Sequence, residues 1–185
     1  LNPFQFNTTP SIRFGSGQAK DSCKEIFHKL GPRILFVTDR GLMSLGLTKP
    51  TIDQLNKIGA VKVFDEVEAD PSKKTLLSAI EIGKEFKATG VIGFGGGSSM
   101  DVAKLSALIL GSNEDLESAW GVSKAKGPRL PLVLVPTTAG TGSEVTPVSI
   151  ITVGEEEKKG VSSAIILPDI AILDPDLTLG LPART

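Results

Sequence analysis

A run rich in glycine and serine, from Gly95 to Lys104, is the segment of this 185-residue chain best suited to bind an anion. It stands between the apolar stretch 90–94, which is typical of a buried strand, and an apolar periodic stretch from Met100, which is typical of a helix. Glycines let the backbone approach a bulky anion, and a helix start offers free N–H groups at the positive end of its dipole. The hydroxyls of Ser98 and Ser99 add donors. The pattern predicts a phosphate or pyrophosphate site, with a structural turn before a capped helix as the alternative.

Neither of the two common phosphate signatures explains this run. Gly93 and Gly95 match the first two glycines of the dinucleotide fingerprint, but Ser98 stands where the third belongs. The Gly-Lys-Ser/Thr element of a P-loop is missing from this run and from a second segment of interest, 136–147. That segment follows an apolar run and carries four threonines, a serine and two glycines, which suit ribose and phosphate oxygens. A structural turn is again the alternative, but two such loops on one parallel sheet would open at the edge where ligands bind.

Asp39 closes the apolar stretch 33–38 and has two interpretations. A carboxylate at the end of such a strand can accept hydrogen bonds from both hydroxyls of an adenosine ribose, and it repels a 2′-phosphate. Alternatively, the aspartate caps the turn that follows. The residue pattern leaves both interpretations open.

The hydrophobic pattern predicts alternating helices and strands that would position these residues. Helical spacing runs through 17–30, a stretch from Pro50, a stretch that Asp70-Pro71-Ser72 opens, and 100–110; strand patterns cover 33–38, 61–67, 90–94, 130–135, 148–153 and 164–173. In the third helix, four side chains are expected to face the core: Leu76, Leu77, Ile80 and Phe86. The charged run 155–159 is expected at a hairpin tip between the last two strands. This order predicts an α/β fold with a mainly parallel Rossmann-like sheet, helices on both faces, and a β-hairpin.

Composition and charge exclude several classes of protein. The 20 basic and 21 acidic residues give a formal charge of −1 without a basic stripe, so nucleic acid is not an expected partner. No apolar run reaches the roughly 20 residues that span a bilayer, and the first ten residues lack a signal pattern, so we expect no membrane partner and a cytoplasmic protein. Cys23 and His28 are single residues of their kind, which excludes an internal disulfide, a zinc-finger cluster and a histidine-rich catalytic metal site.

Taken in order, the motifs resemble those of the iron-containing (group III) alcohol dehydrogenases, members of the dehydroquinate-synthase-like superfamily. The resemblance covers essentially the whole chain and rests on six segments: Ile12-Arg-Phe-Gly-Ser-Gly17, Val37-Thr-Asp-Arg-Gly41, Asp70-Pro71, Gly95-Gly-Gly-Ser-Ser-Met-Asp101, Pro136-Thr-Thr-Ala-Gly-Thr-Gly-Ser-Glu144, and Ile172-Leu-Asp-Pro-Asp-Leu-Thr178 with Leu181-Pro182. The two glycine-rich motifs are highly specific in combination.

The resemblance implies an NAD site and assigns residues to it. The pyrophosphate falls to Gly96, Gly97, Ser98 and Asp101; the phosphate and nicotinamide side falls to Thr137, Thr138, Thr141 and Ser143. Asp39 matches the ribose-binding aspartate, and Lys158, with Lys159 as the alternative, matches a lysine at the nicotinamide ribose. Asp70 stands where many members carry an asparagine that contacts the cofactor.

The resemblance also implies what this chain lacks. We expect residues 1–180 to form a dinucleotide-binding domain and 181–185 to begin the linker to an all-helical domain that holds Fe²⁺ or Zn²⁺, so that no catalytic or metal-ligating residue lies in this chain. The expected activity is hydride transfer between NAD(H) and a primary alcohol or aldehyde, in an enzyme that forms homo-oligomers. Glycerol dehydrogenase, hydroxyacid–oxoacid transhydrogenase and dehydroquinate synthase relatives are alternatives. A stand-alone nucleotide-binding module is an alternative of another class.

Overall fold

A computed structural model describes residues 3–4, 6–155 and 157–181. The strands are β1 (Ile12–Phe14), β2 (Arg33–Val37), β3 (Ala60–Phe64), β4 (Gly90–Gly95), β5 (Gly121–Val122), β6 (Leu132–Pro136), β7 (Val148–Val153), β8 (Glu157–Ser162) and β9 (Ile170–Leu173). The α-helices are α1 (Gln18–Asp21), α2 (Cys23–Leu30), α3 (Arg40–Ser44), α4 (Lys49–Leu55), α5 (Lys73–Glu85), α6 (Gly97–Ser112) and α7 (Leu116–Ala119). Short 3₁₀ turns cover Ser143–Val145, Ala164–Ile166 and Pro175–Thr178.

The described residues form a six-stranded sheet in the order β1-β9-β6-β4-β2-β3, in which the paired strands are parallel. From β2 the chain adds β3 on one side and then β4, β6 and β9 on the other. The strand order therefore reverses between β2 and β4, and an open α/β sheet binds its ligands at such a point. The predicted fold class is confirmed.

Both faces of this sheet are covered because its central strands are apolar at consecutive positions. In β2, Leu35 and Val37 pack into the core layer that contains α5 and α6, whereas Ile34 and Phe36 pack into the layer that contains α2 and α4. Alternate side chains of a strand point to opposite faces, so one apolar run serves both layers. Among the described residues, no helix is long and apolar enough to cross a membrane.

The predicted hairpin exists, but its second strand was assigned wrongly. β7 pairs with β8 in antiparallel register, and β8 is the polar segment Glu157–Ser162 rather than 164–173. The latter region instead contains a 3₁₀ turn followed by β9, which belongs to the main sheet. The hairpin and β5 form a separate three-stranded sheet.

The four core residues predicted for the third helix divide into two groups. Leu76 and Ile80 are buried in α5, but Leu77 is 46% exposed and Phe86 is only half-buried. The buried positions on that helix are completed by Ala79 and Gly83, whose small side chains allow close packing on α6 and β2. Leu77 lies one position from Leu76, and consecutive residues of a helix do not share a face.

Candidate functional site

A cleft of about 980 Å³ opens at the carboxyl edge of the sheet. The chain leaves the sheet there after β2, β4 and β6, and the ends of the last two strands are paired at Gly95 and Pro136. The cleft is lined by Asp39 after β2, by Gly96 to Ser99 after β4, and by Thr137 and Thr138 after β6. The fold thus brings both loops and the aspartate to one place, at the reversal of strand order.

The glycine-rich turn differs from its sequence prediction because α6 begins at Gly97, three residues before the expected start at Met100. Gly95 has a φ of 151°, and a Cβ there would lie 2.7 Å from the Ser99 Oγ, so this position requires glycine. Gly93 has a packing role, since a Cβ there would lie 2.7 Å from the Ala103 Cβ of α6. Glycines 93 and 95 therefore bring the helix onto the strand and aim its first turn into the cleft.

The start of α6 keeps its backbone donors available. Its N-cap, Gly96, makes no side-chain capping hydrogen bond within the described residues. The first backbone N–H groups of a helix have no partner inside the helix, and three of these groups belong to Gly97, Ser98 and Ser99, which line the cleft. This arrangement offers an anion several donors together with the positive end of a 16-residue helix dipole.

The threonine-rich loop also lines the cleft and is hydrogen-bonded to the glycine turn. The Thr137 amide donates to the Gly95 carbonyl at 3.0 Å. Thr141 lies beside Gly97, where a Cβ would come within 3.1 Å of its Cγ2. The loop and the helix start are thus in direct contact behind the cleft.

Asp39 performs the capping role that the sequence left open. Its Oδ1 accepts a hydrogen bond from the Leu42 amide at 3.0 Å, which caps α3. The residue also lines the cleft, so the capping bond holds the carboxylate in place there. Capping and a ribose contact are compatible, since a carboxylate has acceptor capacity for several donors.

The eleven residues assigned to the cofactor fall into two groups. The cleft lining includes Asp39, Gly96, Gly97, Ser98, Thr137 and Thr138. Five others lie outside that lining: Asp70, Asp101, Thr141, Ser143 and Lys158. Thr141 is still adjacent to it through Gly97, whereas the other four make polar contacts with one another and with neighbouring residues.

Asp101 and Ser143 belong to a hydrogen-bond network behind the cleft. The Ser143 hydroxyl donates to the Asp101 Oδ1 at 2.7 Å, and the Ile150 amide donates to the Asp101 Oδ2 at 2.8 Å. Lys104, one helical turn further along α6, is fully buried and donates to the Ser143 hydroxyl at 2.7 Å. Its ammonium also donates to the carbonyls of Thr146 at 3.0 Å and Val148 at 2.7 Å.

Burial shifts the titration of both charged members of this network. Loss of hydration lowers the pKa of Lys104 from 10.5 to about 8, while the carboxylates of Asp101 and Glu144 act in the opposite direction. Loss of hydration also raises the pKa of Asp101, opposed by Lys104 and by the bonds from Ile150 and Ser143. The lysine Nζ lies 3.8 Å from the Asp101 carboxylate.

Asp70 and Lys158 form an ion pair on the protein surface. The Lys158 Nζ lies 2.6 Å from the Asp70 Oδ1. Asp70 has a φ of 52°, a left-handed conformation that aspartate and asparagine tolerate better than most residues. The pair joins the β7–β8 hairpin to the turn before α5, and it selects Lys158 rather than Lys159 as the partner of Asp70.

Sequence reasoning missed two structural residues. Lys104 ends the glycine-rich run, and the sequence signal for its role is a lysine inside an otherwise apolar helix. Asp174 lies in the segment 172–178, and its buried carboxylate accepts from the amides of Gly17 and Ala19 at 3.1 and 3.0 Å. It fastens the start of α1 to the end of β9.

Metal ligands are not grouped in the part of the chain that the structure describes. No set of three His, Cys, Asp or Glu side chains there could hold a metal ion. His28 is exposed on α2, and Cys23 is buried, where loss of hydration raises its thiol pKa from 9.0 to about 11. The described residues therefore do not fit a catalytic metal.

The architecture and the cleft are those of a Rossmann-like α/β domain, and comparison with known proteins identifies the family. The chain matches the family of iron-containing alcohol dehydrogenases over residues 9–175. It belongs to that family, which confirms the resemblance seen in the motifs. Sulfoacetaldehyde reductase from Bilophila wadsworthia is 36% identical over 183 residues, or 98% of this chain and 47% of that protein.

Solved structures give the same result. An alcohol dehydrogenase from Oenococcus oeni has a TM-score of 0.91 and 29% identity, covering 97% of this chain and 48% of its own. Sulfoacetaldehyde reductase from Bifidobacterium kashiwanohense, solved in complex with NAD⁺, has a TM-score of 0.86 and 33% identity over 98% of this chain and 48% of its own. The chain thus spans about half the length of the relatives it matches. The domain boundary near residue 180 stays a prediction, and 182–185 of the expected linker lie outside the described residues.

Proposed function

We propose that this chain binds NAD(H) in the cleft and serves as the nucleotide-binding half of an alcohol dehydrogenase. The observation that carries the proposal is the start of α6, which has no side-chain cap and opens at Gly96 into a cleft that Thr137 and Thr138 also line. Asp39 stands in the same cleft, at the end of the neighbouring strand. The related reductase solved with NAD⁺ supports the choice of cofactor.

The pyrophosphate would lie against the first turn of α6. The amides of Gly97 to Ser99 are donors, and the helix dipole favours the two negative charges. Gly96 leaves space for the approach, since a Cβ there would already stand 3.6 Å from the Thr138 hydroxyl. Ser98 and Thr138 also line the cleft, and their hydroxyls would add further donors.

The adenosine would lie on the side of Asp39. The lining there is apolar at Leu42, Leu45 and Val67, which suits a purine ring, and acidic at Asp65 and Glu66. Arg40, the nearby cation in that lining, is paired with Glu66 at 3.1 Å. A 2′-phosphate would therefore meet carboxylates, so we infer a preference for NAD over NADP.

The dehydrogenase chemistry is divided between this chain and the rest of the protein. When bound, NAD would supply the nicotinamide ring as the acceptor of the hydride that leaves a primary alcohol carbon. This chain binds the two phosphates and the ribose, and thereby orients the nicotinamide. We assign activation of the alcohol oxygen to none of the described residues, which do not group metal ligands.

Calorimetric titration of the purified protein with NADH, NADPH and ADP-ribose tests this proposal. We expect one site, with NADH bound about tenfold or more tightly than NADPH. ADP-ribose should compete with NADH, because the cleft holds the part of the cofactor that they share. Absence of NADH binding overturns the proposal, and equal affinity for NADPH overturns the assignment of Asp39.

A further inference from the structure

Lys104 is a buried cation that the nucleotide cleft does not itself explain. It lies fully buried in the middle of α6, five residues beyond Ser99, which is the last residue of that helix in the cleft lining. Its Nζ has three acceptors, the Ser143 hydroxyl and the carbonyls of Thr146 and Val148. All three belong to the segment that leads from the threonine-rich loop into β7.

Asp101, which carries the opposite charge, also bonds α6 to this segment. Its carboxylate accepts from the Ser143 hydroxyl and the Ile150 amide, and its backbone carbonyl accepts from the Ser149 hydroxyl at 3.0 Å. Ser143 is the shared member, since it accepts from Lys104 and donates to Asp101. The first half of α6 is therefore bonded to both ends of the segment 143–150.

This network joins the two elements that carry the glycine and threonine parts of the cleft lining. The start of α6 and the loop that precedes Ser143 both line the cleft. A Cβ at Gly97 would lie 3.1 Å from the Thr141 Cγ2, so little space separates the two, and a displacement of 143–146 would change the distance between the loop and the helix start. A position that only filled the core would be satisfied by an apolar side chain, because burying a charge costs stability unless the charge is well bonded.

We propose that Lys104 is a positioning residue for nucleotide binding, which holds the threonine-rich loop at its distance from the start of α6 through Ser143, Thr146 and Val148. This inference rests on the proposed function. Lys104 does not touch the nucleotide, and Asp101 and Ser143 act with it rather than as direct ligands of the pyrophosphate.

As a positioning residue, Lys104 makes NADH affinity depend on whether its side chain carries a charge. An ammonium has three N–H donors for its three acceptors, whereas a neutral amine has only two. Because the pKa of Lys104 is about 8, the third bond is lost within an accessible pH range. The other charged groups facing it are the carboxylates of Asp101 and Glu144, which act against the effect of burial on the pKa of Lys104.

The pH dependence of folding stability runs in the opposite direction. Below pH 8 both the folded and the unfolded states carry the charge, and the cost of burying it applies in full. Between pH 8 and 10.5 the folded state releases the proton first, so this group makes stability rise with pH. Cys23 has the opposite effect, but only above its ordinary pKa of 9.0, so the interval from pH 8 to 9 reports on Lys104.

The test compares NADH affinity and thermal stability of the purified protein between pH 7 and 9, for the unaltered chain, Lys104→Met and Lys74→Met. Lys74 is an exposed lysine of α5 and is the matched control. We expect the unaltered chain to lose about tenfold in NADH affinity across this range without a loss of stability. Lys104→Met should bind NADH about tenfold more weakly at pH 7 and show no pH step, and Lys74→Met should behave as the unaltered chain.

Each other outcome is decisive. If the unaltered chain binds no NADH, the proposed function fails, and the positioning role fails with it. If Lys104→Met binds NADH as tightly as the unaltered chain and only melts earlier, Lys104 is structural and the positioning role alone is overturned. If the variant does not fold, an NADH affinity of the unaltered chain that stays constant from pH 7 to 9 overturns the positioning role.

Discussion

Helices α5 and α6 pack against each other in the same core layer, yet they begin in opposite ways. The start of α5 is closed, because the Ser72 hydroxyl accepts from the Thr75 amide at 3.1 Å. The Ser72 amide itself donates to the Glu68 carboxylate at 2.9 Å. The start of α6 has glycine in place of that serine and faces the cleft.

The difference in capping separates a helix start whose donors are satisfied by side chains from one whose donors stay available for a ligand. Side chains that satisfy the first amides of a helix remove the donors that an anion would use. A glycine at the N-cap gives up little helix stability and leaves those donors available. The contrast between Ser72 and Gly96 therefore supports the proposed nucleotide site more sharply than glycine content alone.

The largest effect is expected from adding bulk at the first residue of each helix. Gly97→Phe would place a ring in the position proposed for the pyrophosphate and press on Thr141, so we expect NADH affinity to fall at least about 100-fold, or about 2.7 kcal/mol. Lys73→Phe makes the corresponding change in α5 and should leave NADH affinity unaltered. Calorimetry measures both affinities, and circular dichroism checks that both variants fold. Equal affinities for the two variants would show that the start of α6 is not the phosphate site.

A second change removes the charge of a capping residue inside the cleft. Asp39→Asn keeps an oxygen that can accept from the Leu42 amide, but it no longer repels a 2′-phosphate. We expect the NADH/NADPH affinity ratio to fall about tenfold, or about 1.4 kcal/mol, with little change in melting temperature. Asp39→Gly should relax the ratio in the same direction and also lose the cap of α3. An unchanged ratio in both variants would place the 2′-hydroxyl away from Asp39.

A third change removes the side-chain cap at the start of α5. Ser72→Ala removes the cap of α5 and should cost about 1 kcal/mol in the free energy of unfolding, measured by urea denaturation. NADH affinity should not change, because the start of α5 does not line the cleft. A loss of NADH affinity in Ser72→Ala at a temperature where the variant is folded would contradict the distinction between the two helix starts.

The sheet could be predicted from the sequence because buried parallel strands are continuous apolar runs. Strands β2, β4 and β6 follow that rule, and the loops after them carry the residues that line the cleft. Strand β8 could not be found in the same way, since its residues are mainly polar and its pairing with β7 depends on a turn. Its assignment failed because the more apolar segment 164–173 matched the strand pattern better.

The types of residue in the candidate site could be predicted from the sequence, but the contacts between their side chains could not. Glycine, serine and threonine loops indicate oxygen ligands, and strand ends indicate where the loops meet. The role of Lys104 depends on carbonyls 42 and 44 residues away in the chain, which no local pattern contains. Asp101 and Ser143 were predicted to bind the cofactor because they stand in the motifs, whereas the structure bonds their side chains to each other.

The smallest effect on NADH affinity is expected at the two adjacent lysines of β8. Their substitution tests whether the hairpin, which is paired with the turn before α5, also reaches the cofactor. Lys158 is paired with Asp70, in the turn that leads to the closed start of α5, while Lys159 lies on the opposite face of the strand. An exposed charged contact is worth at most about 1 kcal/mol. Because Lys158 is exposed, a contact between its ammonium and the nicotinamide ribose can add only modestly to NADH affinity. Lys158→Met should therefore weaken NADH binding about threefold, or about 0.6 kcal/mol, and Lys159→Met should leave it unchanged. Parallel titrations of the two variants measure this difference.

A loss of NADH affinity confined to Lys159→Met would mean that the opposite face of the hairpin approaches the cofactor, and that the pairing with Asp70 holds Lys158 away from it.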